Sequence, residues 1–197
     1  MYKRQEEAWY TFCGATATLS PAAKEKAMVI DIGGGSTEWV RPGPILLSKP
    51  LGAVKAQERQ MAPAEITDFF AAWEQEKKAD GILFATGGTA TAAAAMLLQL
   101  REYCREAVQG VVLKSADLQA LRDRLFPLSV VQRKEQYPLL GKRADIIVSG
   151  LDILLVLLRI LGKEEVTISD SGILDGFLLQ RFLEKVDCVN EMKDWKK

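Results

Sequence analysis

"MVIDIGGGSTEWV", residues 28–40, sets an aspartate at the end of an apolar run, then three glycines, then Ser-Thr-Glu. One reading is a tight hairpin in which the glycines supply positive φ. A hairpin, however, rarely needs three consecutive glycines flanked by carboxylates at Asp31 and Glu38. A phosphate loop does need them. Glycines let main-chain N–H groups close on an anion, and a carboxylate holds a divalent metal beside it. A glycine string alone is a weak signal, so the rest of the chain decides.

Two further stretches repeat the plan. "LFATGGTAT" at 83–91 and "TISDSGILDG" at 167–176 each run from an apolar strand into glycine with Ser, Thr or Asp, then into a new element. Strand mouths of this kind converge on a ligand crevice in an α/β sheet. The first of the two also feeds a helix, whose N-terminus offers Gly87, Gly88 and Thr89 to an anion. Alone, Gly87-Gly88 would read as a strand-to-helix turn; three such sites in one chain favour a phosphate ligand.

Around these sites the pattern gives a helix over 5–13 and strands at 27–32, 36–41 and 44–50. Helices follow from 50–61 and 62–78, the latter with Pro63 in its first turn and Phe69, Phe70 and Trp73 at helical spacing. Residues 81–103 read as strand, glycine turn and long helix. Residues 110–136 read as a short strand, a Ser115-capped helix and further helix. A central long helix spans 141–164, then come a strand at 164–172 and a helix at 173–186. The tail over 186–197 is expected to fray. Antiparallel strands first, then alternating strand and helix, predict a single α/β domain over 1–197 with a mixed sheet flanked by helices.

Composition narrows the chemistry. The 197 residues hold 48% hydrophobic and 26% charged side chains, which is ordinary for a soluble globular protein, and zero formal net charge argues against a nucleic-acid partner. Three separated cysteines, Cys13, Cys104 and Cys188, predict reduced thiols and a cytoplasmic protein. The most apolar stretch, 146–161, is broken by Asp152 and Arg159 and falls short of the ~20 residues a membrane span needs. There is no histidine. Imidazole bases and metal–imidazole sites are therefore excluded, leaving carboxylates and metal-bound water to move protons.

The chain resembles the exopolyphosphatase and guanosine pentaphosphate phosphohydrolase (Ppx/GppA) family, within the actin, heat-shock chaperone and sugar-kinase superfamily. The stretches that carry the resemblance are "EEA" at 6–8, "VIDIGGGSTE" at 29–38, "LGAV" at 51–54, "ATGGTAT" at 85–91, "RADIIVSGLDIL" at 143–154 and "ISDSGILDGFLL" at 168–179. They lie in family order across nearly the whole chain. The resemblance implies a ribonuclease-H-like fold, here the second half of a two-domain core whose first, N-terminal half is absent. It implies hydrolysis of the terminal phosphate of inorganic polyphosphate or guanosine pentaphosphate, with Mg²⁺ as cofactor, and it leaves a homodimer open.

By the same resemblance Glu7 is the catalytic carboxylate, the general base on the attacking water. Asp31 and Glu38 hold Mg²⁺ or orient that water. Gly33, Gly34, Gly35 and Ser36 form one phosphate loop, and Gly87, Gly88 and Thr89 the other. Each residue also has a plainer reading: Glu7 as a solvated helix residue, Asp31 as a turn cap, Ser36 to Glu38 as a polar hairpin face. The strings at 132–136 and 141–143 read as solvated helix faces or a polyanion path, and Lys55 is undecided. Trp9, Phe69, Phe70 and Trp73 are expected to pack in the core or against a missing domain. One departure stands out: Leu174 occupies the place of a family arginine and cannot bind phosphate. Two rivals remain, a non-catalytic polyphosphate- or nucleotide-binding half-domain and a sugar- or acetate-kinase half.

Overall fold

The computed structural model describes residues 2–42, 45–78 and 80–182. The tail expected to fray lies outside them.

Six strands form one mixed sheet: β1 (Met28–Ile32), β2 (Thr37–Arg41), β3 (Ile45–Lys49), β4 (Leu83–Thr86), β5 (Val112–Lys114) and β6 (Glu165–Ile168), in the order β3-β2-β1-β4-β6-β5. β1, β2 and β3 are antiparallel neighbours, β4 and β6 run parallel to β1, and β5 closes the edge antiparallel. This is the expected mixed sheet. The helices are α1 (Tyr2–Ala15), α2 (Pro21–Lys24), α3 (Ala53–Glu58), α4 (Pro63–Phe70), α5 (Gly88–Leu97), α6 (Arg105–Val108), α7 (Ser115–Leu125), α8 (Val130–Gln136), α9 (Ile147–Leu161) and α10 (Ile173–Phe182). Turns of 3-10 helix cover Ala71–Lys78 and Pro138–Ala144.

Strand alternation divides the core in two. Met28, Ile30, Ile32, Trp39 and Ala85 face a large cluster built on α4, α5, α7 and α9, which also takes in Phe70 and Trp73. Val29, Val40 and Phe84 face the other side and pack on Trp9, Phe12 and Ala15 of α1. The same period of two puts Asp31 beside Val29 and Glu38 beside Val40. Both carboxylates are therefore on the α1 side.

α1 is held there by α10 through an unusually close approach. A Cβ on Gly176 would coincide with the carbonyl oxygen of Tyr10, and one on Gly14 would coincide with that of Gly172. Gly176→Ala is expected to cost about 1–3 kcal/mol or more by forcing the helices apart. Urea unfolding checks it, and unchanged stability would mean the helix pair can slide.

Several helix ends differ from the sequence expectation. The helix after Gly88 stops at Leu97, where Gln99 takes a left-handed φ of 54° and Leu100 N–H closes on Ala95 O. Ser115 is the first helical residue of α7, with Lys114 at the cap and no capping side-chain bond. That helix ends at Leu125, and α8 starts afresh at Ser129, whose Oγ accepts from Gln132 N–H. The central helix begins at Ile147, because Gly141, with φ 50° and ψ −120°, breaks the preceding turn. Local propensity spans such breaks; turn geometry does not.

Candidate active site

β1 and β2 are joined by the glycine loop, so a hairpin is present, yet none of Gly33, Gly34 and Gly35 has a left-handed φ. Positive φ therefore does not explain them. Close approach accounts for part of the pattern: a Cβ on Gly52 would run into the carbonyl groups of Gly33 and Gly34, and a Cβ on Gly34 would stand 3.1 Å from Val54 Cγ2. The start of α3 reaches back to the loop. Ala53 N–H donates to Gly33 O (2.9 Å) and Val54 N–H to Gly34 O (3.0 Å), while Thr37 Oγ1 donates to Leu51 O (2.7 Å). The "LGAV" stretch thus ties down the loop's carbonyls. Gly33 N–H closes the turn on Ser36 O (3.0 Å), so its part is shape. Among the described residues, the N–H groups of Gly34, Gly35 and Ser36 have no hydrogen-bond acceptor within the protein.

The second loop lies alongside. Gly87, with φ 91°, caps α5, and a Cβ there would stand 2.9 Å from Asp31 Oδ1 and from Ile32 O. Only glycine satisfies both the backbone angle and that contact. Asp31, Gly33, Gly34, Gly87, Gly88 and Thr89 line one pocket of about 200 Å³. Arg143 lines it too, its guanidinium Nε 2.5 Å from where a Gly88 Cβ would stand. Thr89 is buried, with its hydroxyl against Gly150 of α9, so it also sets the α5–α9 spacing.

Asp31 is also part of the wall of a second pocket, about 150 Å³, shared with Glu7, Thr11, Ser36, Glu38 and Ile173. Asp31 and Glu38 are direct partners across the β1–β2 ladder, and Asp31 pairs in register with Thr86 of β4. Burial, reinforced by the charge of Glu38, pushes the Asp31 carboxyl up to about 6. Glu38 accepts a hydrogen bond from Ser48 Oγ (3.0 Å). No cation of the protein pairs with Glu7, Asp31 or Glu38 among the described residues. A pair of facing carboxylates without a protein counter-ion suits Mg²⁺, which binds one or two carboxylates and takes its other ligands from water and substrate. No group of three or more Asp, Glu, His or Cys side chains placed to hold a metal ion occurs among the described residues, so any ion here would rest on one or two carboxylates.

The structure thus brings all ten sequence-predicted residues except Gly35 to the two pockets that share Asp31. Gly35 sits at the loop tip under Lys55, whose Nζ donates to Pro50 O (3.2 Å). Arg143 is the residue that motif reading passed over. It lies inside the quoted "RADIIVSGLDIL" stretch, and its string at 141–143 read as a solvated helix face or a polyanion path without being assigned to the site. Arg133 of the neighbouring string proves structural, buried and donating to Leu125 O and Ala144 O (3.0 Å each). Leu174 is exposed, at 66%, and its α10 neighbours Ile173, Phe177 and Leu178 are exposed as well.

The profile of the Ppx/GppA phosphatase family matches residues 3–185. A crystal structure of the Aquifex aeolicus member of the Ppx/GppA family superposes with a TM-score of 0.81 at 26% identity, covering 92% of this chain and 63% of that one. An exopolyphosphatase from Cytophaga hutchinsonii shares the fold at TM-score 0.75 and 21% identity, over 92% of this chain and 64% of that one. A bifunctional 3-dehydroquinate synthase/phosphatase of Fusobacterium nucleatum is 25% identical, over 89% of this chain and 29% of its own length. The chain therefore spans under two thirds of the length of these relatives. No described helix is long and apolar enough to cross a membrane.

Proposed function

The chain belongs to the Ppx/GppA phosphatase family, and we propose that it supplies one wall of a site hydrolysing the terminal phosphoanhydride of inorganic polyphosphate or guanosine pentaphosphate. The observation that carries this reading is the placement of Asp31, which stands in the wall of both the carboxylate pocket and the glycine-loop pocket. A phosphate on the loops is then next to a base and to a pair of metal-binding carboxylates.

The N–H groups of Gly34 to Ser36, the first turn of α5 and the Arg143 guanidinium all point to the same ligand type, a phosphoryl group with negative non-bridging oxygens. Glu7, on α1, takes a proton from water as the water oxygen bonds to the terminal phosphorus and the bridging P–O bond breaks. The shortened phosphate chain leaves with the bond's electron pair. Asp31 and Glu38 would hold Mg²⁺, which would neutralise the charge building on the phosphoryl oxygens. Such a reaction is mainly positioning and electrostatics, so it needs no histidine.

A second reading, an anion-binding half-domain without turnover, is favoured by one observation: Ile173, Leu174, Phe177 and Leu178 are exposed on the helix that borders the Glu7 pocket. That apolar rim suits a covering body such as the first half-domain. An open half-site leaves the substrate in water and one flank of its phosphates without partners. The chain by itself is expected to release phosphate from polyphosphate with Mg²⁺ at well under ~1 per second, while binding tripolyphosphate in a calorimetric titration. Turnover at that rate or faster would show that no second wall is needed. Absence of both binding and release would remove the phosphate reading.

A further inference from the structure

Away from the glycine loops, the C-terminal end of α5 and the start of the Pro138–Ala144 segment enclose a separate cavity of about 660 Å³. α5 is ten residues long, which puts this cavity roughly 15 Å from the phosphate loops. Its volume falls within the range of small-molecule sites. Met96, Leu100, Leu139 and the ring of Tyr137 give it an apolar lining, and Arg101 and Arg124 stand among the residues around it.

Its charge is one-sided. No carboxylate lines it. Asp123, the neighbour of Arg124, is occupied by Gln119 Nε2 (3.0 Å) and Arg122 Nη1 (3.4 Å). Among the described residues, neither Arg101 nor Arg124 makes a hydrogen bond or ion pair. The other large cavity, between α7 and α9, differs in this respect. There Arg122 is held by Asp152 through two bonds (2.7 and 3.4 Å) and Arg159 donates to Thr67 Oγ1 (2.5 Å).

We propose that the cavity between α5 and the 138–144 segment is a second binding site, for an organic anion with an apolar or aromatic body. The lining covers the body, and the two unpaired guanidinium groups take the anionic group, which as planar donors they do well. The site is independent of the phosphatase reading, because no residue of either phosphate-side pocket belongs to it.

8-Anilinonaphthalene-1-sulfonate has this chemistry and fluoresces when its body is shielded from water. Titrated into the full chain, it is expected to show one saturable component. Arg101→Glu with Arg124→Glu is expected to weaken that component by about ten-fold or more. Leu139→Trp, which narrows the cavity without altering charge, is expected to weaken it. Leu174→Ser, on the exposed face of α10, is expected to leave it intact, and far-UV circular dichroism confirms that each variant is folded. The proposal is overturned if the unaltered chain shows no saturable component. It is also overturned if the component survives unchanged in both cavity variants, or is lost with Leu174→Ser and kept by the arginine pair.

Discussion

Glu7→Gln, in a chain joined to the first half-domain that the proposed function calls for, is expected to lower phosphate release by ~10²–10⁴-fold with little change in KM. Glutamine keeps the shape of the side chain and its hydrogen bonding, so only basicity is lost. Glu6→Gln is expected to cost little. Consecutive helix residues point about 100° apart, so one of the pair faces the sheet. Glu7 lines the pocket with Asp31 and Glu38, whereas Glu6 lines none of the described pockets. α1 is fixed in rotation by Trp9 and Phe12, which are buried against Val29, Val40 and Phe84, and by the Gly14 contact with α10. A full-strength Glu7→Gln variant would make some other group the base. Loss of activity in Glu6→Gln alone would mean that α1 is turned in the joined protein.

The hairpin at residues 28–40 was legible because alternation is short-ranged: each residue's side of its strand follows from its neighbours, and the pairing of Ile32 with Thr37 across the turn then puts Asp31 and Glu38 on one side. The glycines were legible as a loop, but the reason for them was not. The loop's backbone packs where a Cβ on Gly52 would stand, and Val54 closes on Gly34, a contact between segments about 18 positions apart that no local pattern encodes. Arg143 was hidden for the same reason. Its charge looks like any solvated charge until the fold lays it over Gly88, where a side chain would block it. Arg133 shows the reverse error: an arginine in an apparently solvated string is buried, closing three backbone carbonyls at the end of α7 and of the 138–144 segment. Helix ends were misplaced where a single residue changes direction, as at Gln99 and Gly141, since propensity averages over several residues and a left-handed φ belongs to one.

Asp31→Asn is expected to abolish most phosphate release and, at the same time, to stabilise the metal-free protein at pH 7. The carboxyl is raised from 3.8 to about 6 in the fold, first by burial and then by Glu38. A carboxyl with a folded value above its unfolded one binds more protons when folded between those two values, so stability falls as pH rises through that window. Below about pH 4 both states are protonated and the penalty is absent; above about pH 6 it is complete. At ~1.4 kcal/mol per pH unit the penalty is roughly 1–3 kcal/mol, the lower end allowing for water reaching a half-buried group. Asparagine carries no such penalty, so the variant's advantage in urea unfolding should be present at pH 7 and gone near pH 4. Mg²⁺ is expected to reverse the ranking. On the proposed reading it is held by the folded carboxylates, so the Tm of the unaltered chain should climb with Mg²⁺ concentration while that of Asp31→Asn should hardly move. If Asp31→Asn proved less stable at both pH values, with an unchanged response to Mg²⁺, Asp31 would be a residue of the turn and Glu38 would have to hold the metal with other partners.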